Sequence, residues 1–183
     1  MNFHLVTSTL IQDFESAGIQ YAVIGGFALG LWGATRATID IDFLLLIDDV
    51  DKVEALLKKY AYQCVYKTEN VGQYVSSNDD YGSVDFIFSS REISKKMLSR
   101  SVDTELLSSQ SIKVLLPEDI IGLKVQALSN DPTRKLKDLS DIEALLSARQ
   151  SDGIDWQLLQ EYFVLFDKYD LYKRMEEQFG NPK

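Results

Sequence analysis

One cysteine, one histidine and three prolines among 183 residues leave several chemistries without material. Cys64 has no partner within the chain, so no internal disulfide can form, which fits a reducing compartment. His4 and Cys64 lie too far apart in sequence to suggest a zinc site by spacing. With so few prolines and no Gly/Ser-rich stretch, repeat or low-complexity segment, the chain offers no obvious linker. Long apolar runs are also missing. The longest, residues 43–47, is far too short to cross a bilayer, and residues 1–10 carry neither a basic start nor an apolar stretch of signal-peptide type. These absences point to a cytoplasmic protein with no membrane partner. Positive charge is scarce as well: 19 Lys and Arg face 28 Asp and Glu, a formal net charge of −9. That balance argues against general coating of nucleic acid, which needs surplus cations to displace counterions, but leaves room for a local basic groove.

What is present suits a packed globule. Hydrophobic residues make up 45% and charged residues 26% of the chain, and a chain of this length buries about 70% of its unfolded surface without staples. Leu5, Leu10, Ile11 and Phe14 recur at helical spacing up to Ala17-Gly18. Residues 21–24 read as a short apolar strand, broken by Gly25-Gly26, with a small-residue helix over 27–32 ended by Gly33. Residues 39–47 read as a strand. Asp48 follows as the N-cap of a helix whose buried stripe is Val50, Val53, Leu56 and Leu57. Further strands are expected at 63–66, 73–76 and 83–88, with a turn at 78–82 joining the last two. From Pro117 the pattern becomes helical, with helices over 136–148, 156–166 and 171–179 after the one that Pro117-Glu118-Asp119 opens. The expected class is α+β: a mixed β-sheet flanked by helices in residues 1–116, and a helical region in 117–183 packed on it as one compact unit.

The informative stretch is Gly25-Gly26-Phe27-Ala28, then Arg36-Ala37-Thr38-Ile39-Asp40-Ile41-Asp42. Side chains alternate along a strand, so Asp40 and Asp42 share one face while Ile39, Ile41 and Phe43 take the other. Two carboxylates about 7 Å apart repel unless a cation lies between them. Oxygen ligands of this kind suit Mg²⁺ or Mn²⁺, with Mg²⁺ keeping its remaining positions for water and phosphate. Asp85, flanked by Val84 and Phe86, repeats the pattern and can meet the pair if the two strands are neighbours. Gly25 and Gly26, between a strand and a helix, let a phosphate approach the backbone. Three carboxylates with bound metal suit nucleotidyl transfer from a nucleoside triphosphate.

Gly-Gly-x-Ala followed by Arg-x-Thr-x-Asp-x-Asp resembles the minimal nucleotidyltransferase superfamily, and within it the AbiEii-type branch, which includes toxins of toxin–antitoxin pairs. Two later stretches carry the same resemblance. Residues 116–127, with Lys124, are similar to that branch's lysine-bearing helix. Arg134-Lys-Leu-Lys137-Asp138-Leu-Ser-Asp141 is similar to its Arg-x-x-Arg-Asp-x-x-Asp signature. The match spans roughly residues 20–146. It implies a nucleotidyltransferase-like sheet, Mg²⁺, a nucleoside triphosphate, an acceptor hydroxyl (RNA and protein both open) and an antitoxin partner. It makes Asp40 and Asp42 metal ligands, Lys124 a phosphate contact and Asp138 part of a distal active-site motif. Two positions depart from the pattern. Phe27 stands where many members carry Ser or Thr, and Lys137 stands for an arginine, which keeps the charge but loses its bidentate fork.

Plainer readings exist for most of these residues. Lys124 fits a solvated helix face, and Asp138 and Asp141 fit an N-cap and a first-turn acid beside the Leu139, Ile142 and Leu145 stripe. Arg36 suits either a substrate phosphate or a structural pair. The aromatic-rich tail reads as helix packing. The departures at Phe27 and Lys137 keep open a second function, that of a catalytically degenerate nucleotide- or partner-binding protein. A third reading makes the acidic surface a docking face for an antitoxin-like partner.

Overall fold

A computed structural model describes residues 1–106, 110–150 and 153–180. The chain divides into two compact units, residues 1–28 with 37–115, and residues 29–36 with 116–183.

The first unit is built on a seven-stranded mixed sheet. In chain order its strands are β1 (Tyr21–Ile24), β2 (Asp40–Leu46), β3 (Tyr62–Lys67), β4 (Val71–Ser76), β5 (Ser83–Ser89), β6 (Val102–Glu105) and β7 (Ser111–Val114). Their order across the sheet is β3-β4-β5-β2-β1-β7-β6. All four residues of β1 are buried, as expected of a central strand covered on both faces. β2 runs antiparallel to β1 and parallel to β5. Helices α1 (Phe3–Ser16), α3 (Val50–Lys59) and α4 (Glu92–Ser99) belong to this unit. Asn2 caps α1 by accepting from the Leu5 N–H at 3.1 Å, and Val6, Leu10, Ile11 and Phe14 are its buried stripe. Phe14 meets the Phe43 ring edge-on at 5.6 Å, and Phe43 stacks on Phe86 at 5.5 Å. This aromatic core lies on the face of β2 and β5 opposite Asp40, Asp42 and Asp85, so apolar burial on one side commits the carboxylates to the other.

Residue by residue, the strands 21–24, 63–66, 73–76 and 83–88 lie within the observed ones. Three readings differ. Ile39 was expected on the core face but is 83% exposed, because β2 begins one residue later. Asp48 is not an N-cap: it lies in a 3₁₀ turn (Ile47–Asp49), and Asp49 precedes α3 without a side-chain capping bond. The stretch after β5, unassigned from sequence, forms α4, β6 and β7. β6 and β7 are four residues each and β6 buries nothing fully, so their apolar periodicity is too short to read.

α2 (Gly25–Leu31) begins in the first unit and ends in the second. The second unit is otherwise helical: α5 (Pro117–Asn130), α6 (Lys135–Ala148), α7 (Trp156–Leu165) and α8 (Tyr169–Phe179). Ile121, Val125, Ile142, Leu145, Leu159 and Phe163 form its core. α5 and α7 approach closely because residue 122 is glycine; a Cβ there would meet the Tyr162 ring at 2.8 Å. Tyr162 then donates its hydroxyl to the fully buried Asp119 at 2.5 Å. Tyr162→Phe removes that donor and leaves a buried carboxylate short of one partner. It is expected to lower unfolding free energy by about 2 kcal/mol, in the range for hydrogen bonds to charged groups, measurable by urea titration. Among the described residues no helix is long and apolar enough to cross a membrane.

Candidate active site

Asp40 and Asp42 are half-buried on β2, on either side of the fully buried Ile41. Parallel pairing of β2 with β5 sets Asp42 directly beside Asp85, in register. The three carboxylates therefore share one face of two adjacent strands. Burial pushes the Asp85 carboxyl above the usual carboxylate range, and the charge of Asp40 adds to this, while a hydrogen bond donated by Gln73 opposes it. Gln73, the β4 residue paired with Asp85, donates through Nε2 to Oδ2 at 2.8 Å. Thr38 donates its hydroxyl to Asp40 Oδ1 at 2.5 Å. Neither Thr38 nor Gln73 stood out as a site residue in the sequence. Both are three-dimensional neighbours, and only the Thr-x-Asp spacing carried a hint of the first.

Gly25 has a more specific role than loop flexibility. It follows β1 with φ +67°, in the left-handed region that glycine alone adopts without strain. A Cβ built on it would fall 1.8 Å from Asp42 Oδ2. The Asp42 carboxylate thus occupies the space a side chain at residue 25 would need. Gly25-Gly26 is the first turn of α2 itself rather than a separate turn ahead of it.

The second unit holds its own cluster of charge. Lys124 Nζ donates to Asp141 Oδ2 at 2.6 Å and lies 3.3 Å from Asp138 Oδ1. Arg134 Nε reaches Asp138 Oδ2 at 3.2 Å, and Arg36 Nε lies 3.5 Å from Asp141 Oδ1. Asp138 is fully buried, and the Lys124 side chain is only 11% exposed. Lys124 is therefore no solvated face residue, and neither aspartate is an N-cap, since α6 is preceded by Arg134 and a 3₁₀ turn (Pro132–Arg134). Asp138 is an acid of the first turn of α6, but a buried and paired one. Lys137 has no carboxylate within ion-pair distance among the described residues, so the cations that face Asp138 are Lys124 and Arg134. The departure at Lys137 leaves that carboxylate's pairing intact. Asp141 and Arg134, which carried no individual role in the sequence reading beyond their motif, complete the network.

Such a network is expensive to break. Lys124→Met would leave Asp138 and Asp141 buried with one cation each. Removing one partner of a buried pair typically costs roughly 3–5 kcal/mol, and because Arg134 and Arg36 remain, a loss near the lower bound is expected in chemical denaturation. The network as a whole keeps three cations on two carboxylates. Lys124 has three N–H donors, of which two are engaged.

Among the described residues no group of three or more His, Cys, Asp or Glu side chains is placed to hold a metal ion, so Asp40, Asp42 and Asp85 share a face without converging on one point. A hard cation such as Mg²⁺ needs only one or two protein carboxylates and takes its other ligands from water and substrate phosphates.

The family model described as nucleotidyl transferase AbiEii toxin, type IV toxin–antitoxin system, matches residues 10–182. The chain belongs to this family. It is therefore a nucleotidyltransferase, on the fold that the resemblance implied. No curated protein matches this AbiEii-family sequence. Solved structures share its fold. The antibiotic-resistance factor ANT(2'')-Ia in solution is similar at a TM-score of 0.62 and 14% identity, over 97% of this chain and 98% of that one. An antigenic nucleotidyltransferase-like protein from Paracoccidioides brasiliensis gives 0.54 and 20%, over 94% and 92%. Lincomycin-bound lincosamide antibiotic adenylyltransferase LnuA gives 0.50 and 16%, over 76% and 93%. At these identities the likeness establishes architecture alone.

Proposed function

We propose that this AbiEii-family chain transfers a nucleotidyl group from a nucleoside triphosphate to an acceptor hydroxyl with Mg²⁺ or Mn²⁺, acting as the toxin of a toxin–antitoxin pair. The observation that carries the reading is the in-register placement of Asp85 beside Asp42, with Asp40 on the same strand face. Asp40 and Asp42 would hold the metal, whose charge would offset their mutual repulsion and stabilise the developing negative charge on phosphoryl oxygen. Gly25 leaves room for the Asp42 carboxylate, and Gly25 and Gly26 together would let a phosphate approach the backbone. Asp85 either joins the metal-holding set or takes the proton from the acceptor hydroxyl. Gln73 orients its carboxylate for either role. The acceptor oxygen then bonds to the α-phosphorus as the bond to pyrophosphate breaks.

In the helical unit, Lys124 is a fixed cation with an N–H left for a phosphate oxygen, and Asp138 is the buried carboxylate that positions it. Arg36 lies within ion-pair distance of Asp141, but its buried Nε makes no hydrogen bond among the described residues, and its side chain is 31% exposed, so its guanidinium is open to a substrate phosphate. The acceptor class stays open between RNA and protein. ANT(2'')-Ia has been solved with adenylyl-2''-tobramycin, so a small-molecule hydroxyl belongs in the same test. A cytoplasmic setting, where triphosphates are abundant, is part of the reading, as is neutralisation by an antitoxin.

The test is incubation of the full chain with each of four α-labelled triphosphates, Mg²⁺ and, in turn, total RNA, total protein and aminoglycosides. Label should move to one acceptor class and be lost on adding EDTA. Metal-dependent triphosphate binding by calorimetry without transfer to any acceptor would favour the degenerate binding protein instead. Absence of metal-dependent binding would overturn both.

A further inference from the structure

The helical unit also holds a cleft of about 540 Å³ formed by the end of α5, the start of α6, and α8 with the turn before it. That volume lies within the usual range for small-ligand sites. Its floor is apolar, from Leu128, Leu139 and Leu171. Around it stand Lys135, Lys168 and Arg174. Many cations of this chain are tied to a carboxylate, but none of these three has one within ion-pair distance among the described residues, although Asp167 and Asp170 line the same cleft. Tyr169, 42% exposed, lines it as well and stacks on Tyr172 at 5.8 Å, with interplanar angle 20°. None of these residues entered the roles argued above.

We infer that this cleft is a second ligand site, for a nucleotide unit. Each part of a nucleotide has a counterpart among the lining groups. Unpaired Lys and Arg side chains suit a phosphate. The Asp167 and Asp170 carboxylates accept from ribose hydroxyls or exocyclic amines. Tyr169, already the outer ring of an aromatic stack, offers a partly exposed surface on which a base extends the stack over the leucine floor. A purely anionic ligand would leave the two carboxylates repelling it, and a purely apolar one would strand three cations. The nucleotide unit can come from a free mononucleotide or from a single-stranded RNA. The inference does not require the acidic face of β2 and β5 to be active.

Full-length chain should be titrated with labelled AMP and with a 5′-phosphorylated RNA octamer in metal-free buffer. The same titrations follow for Lys135→Ala/Arg174→Ala and for Tyr169→Ala, all exposed positions whose loss should leave the fold intact by circular dichroism. Binding of at least one probe should weaken tenfold or more in the double variant and about fivefold or more in Tyr169→Ala. Triphosphate binding in Mg²⁺ should stay at its wild-type value in both. For RNA, the slope of log affinity against log salt should shrink by roughly 0.7 for each phosphate contact removed. Loss for AMP and RNA alike identifies a nucleotide pocket open to both sources, and loss for RNA alone identifies a strand site. Wild-type affinity of folded variants for both probes, or no binding of either probe to the wild type, would overturn the inference. Because triphosphate binding and label transfer are read separately, either conclusion can fail without the other.

Discussion

Gly25→Ala should unfold the site before it can be assayed at full strength. The new Cβ would sit 1.8 Å from Asp42 Oδ2 and 2.4 Å from its Cγ, so the carboxylate has to rotate away. The backbone at φ +67° adds left-handed strain of about 1–2 kcal/mol. Overpacking of this kind costs roughly 1–3 kcal/mol more. A combined loss of about 2–5 kcal/mol is therefore expected in urea or thermal denaturation. Transfer activity should fall further than stability, because the displaced group is the carboxylate proposed to hold metal. Gly18→Ala is the matched control: it shares the positive φ, at +66°, but a Cβ there meets nothing within 4 Å. It should show the strain alone and keep its activity. Equal losses for the two variants would mean that the approach of Asp42 to Gly25 has no catalytic consequence.

Asp42→Asn is expected to abolish label transfer, by roughly a hundredfold to a thousandfold or more, the scale seen when one charge-stabilising group is removed from a transition state. The amide is isosteric, so the contact over Gly25 and the pairing of β2 with β5 should survive. The variant should remain folded by circular dichroism, so that a loss of transfer reads the charge and not the fold. Metal-dependent triphosphate binding should weaken along with transfer. A folded Asp42→Asn protein that transfers label at the wild-type rate would sink the proposed role of the acidic face. Asp40→Asn should behave similarly, with the added loss of the Thr38 hydroxyl's charged acceptor.

The chain's local periodicities carried much of the fold. Ile41, Phe43, Val84 and Phe86 alternate with Asp40, Asp42 and Asp85, and period-two alternation is a local property that survives wherever one face is buried. The Pro117-Glu118-Asp119 helix start and the apolar stripes after it were legible for the same reason. The motifs around Gly25, Asp40, Lys124 and Asp138 were enough for the family. β6 was not legible: Val-Asp-Thr-Glu, at the edge of the sheet, buries no residue fully, and among the described residues it pairs with β7 alone. β7 is equally short, and its parallel partner β1 is distant in sequence. Asp48 misled because acids before an apolar stripe look alike whether they cap an α-helix or sit in a 3₁₀ turn.

For the site, the sequence by itself determined which groups were available: three aspartates on strand faces, a glycine pair and a helical lysine. Only the tertiary structure decided which of them meet. Register between β2 and β5 brought Asp85 beside Asp42, a choice made by two buried aromatic faces packing together. The positive φ at Gly25 became a requirement only once the Asp42 carboxylate lay over it. Burial turned Lys124, Asp138 and Asp141 from ordinary helix charges into an ion network with Arg36 and Arg134. The reason is common to all three cases. Periodicity encodes which way a side chain points, whereas its partner lies on a distant segment whose position is set by the packing of the whole core.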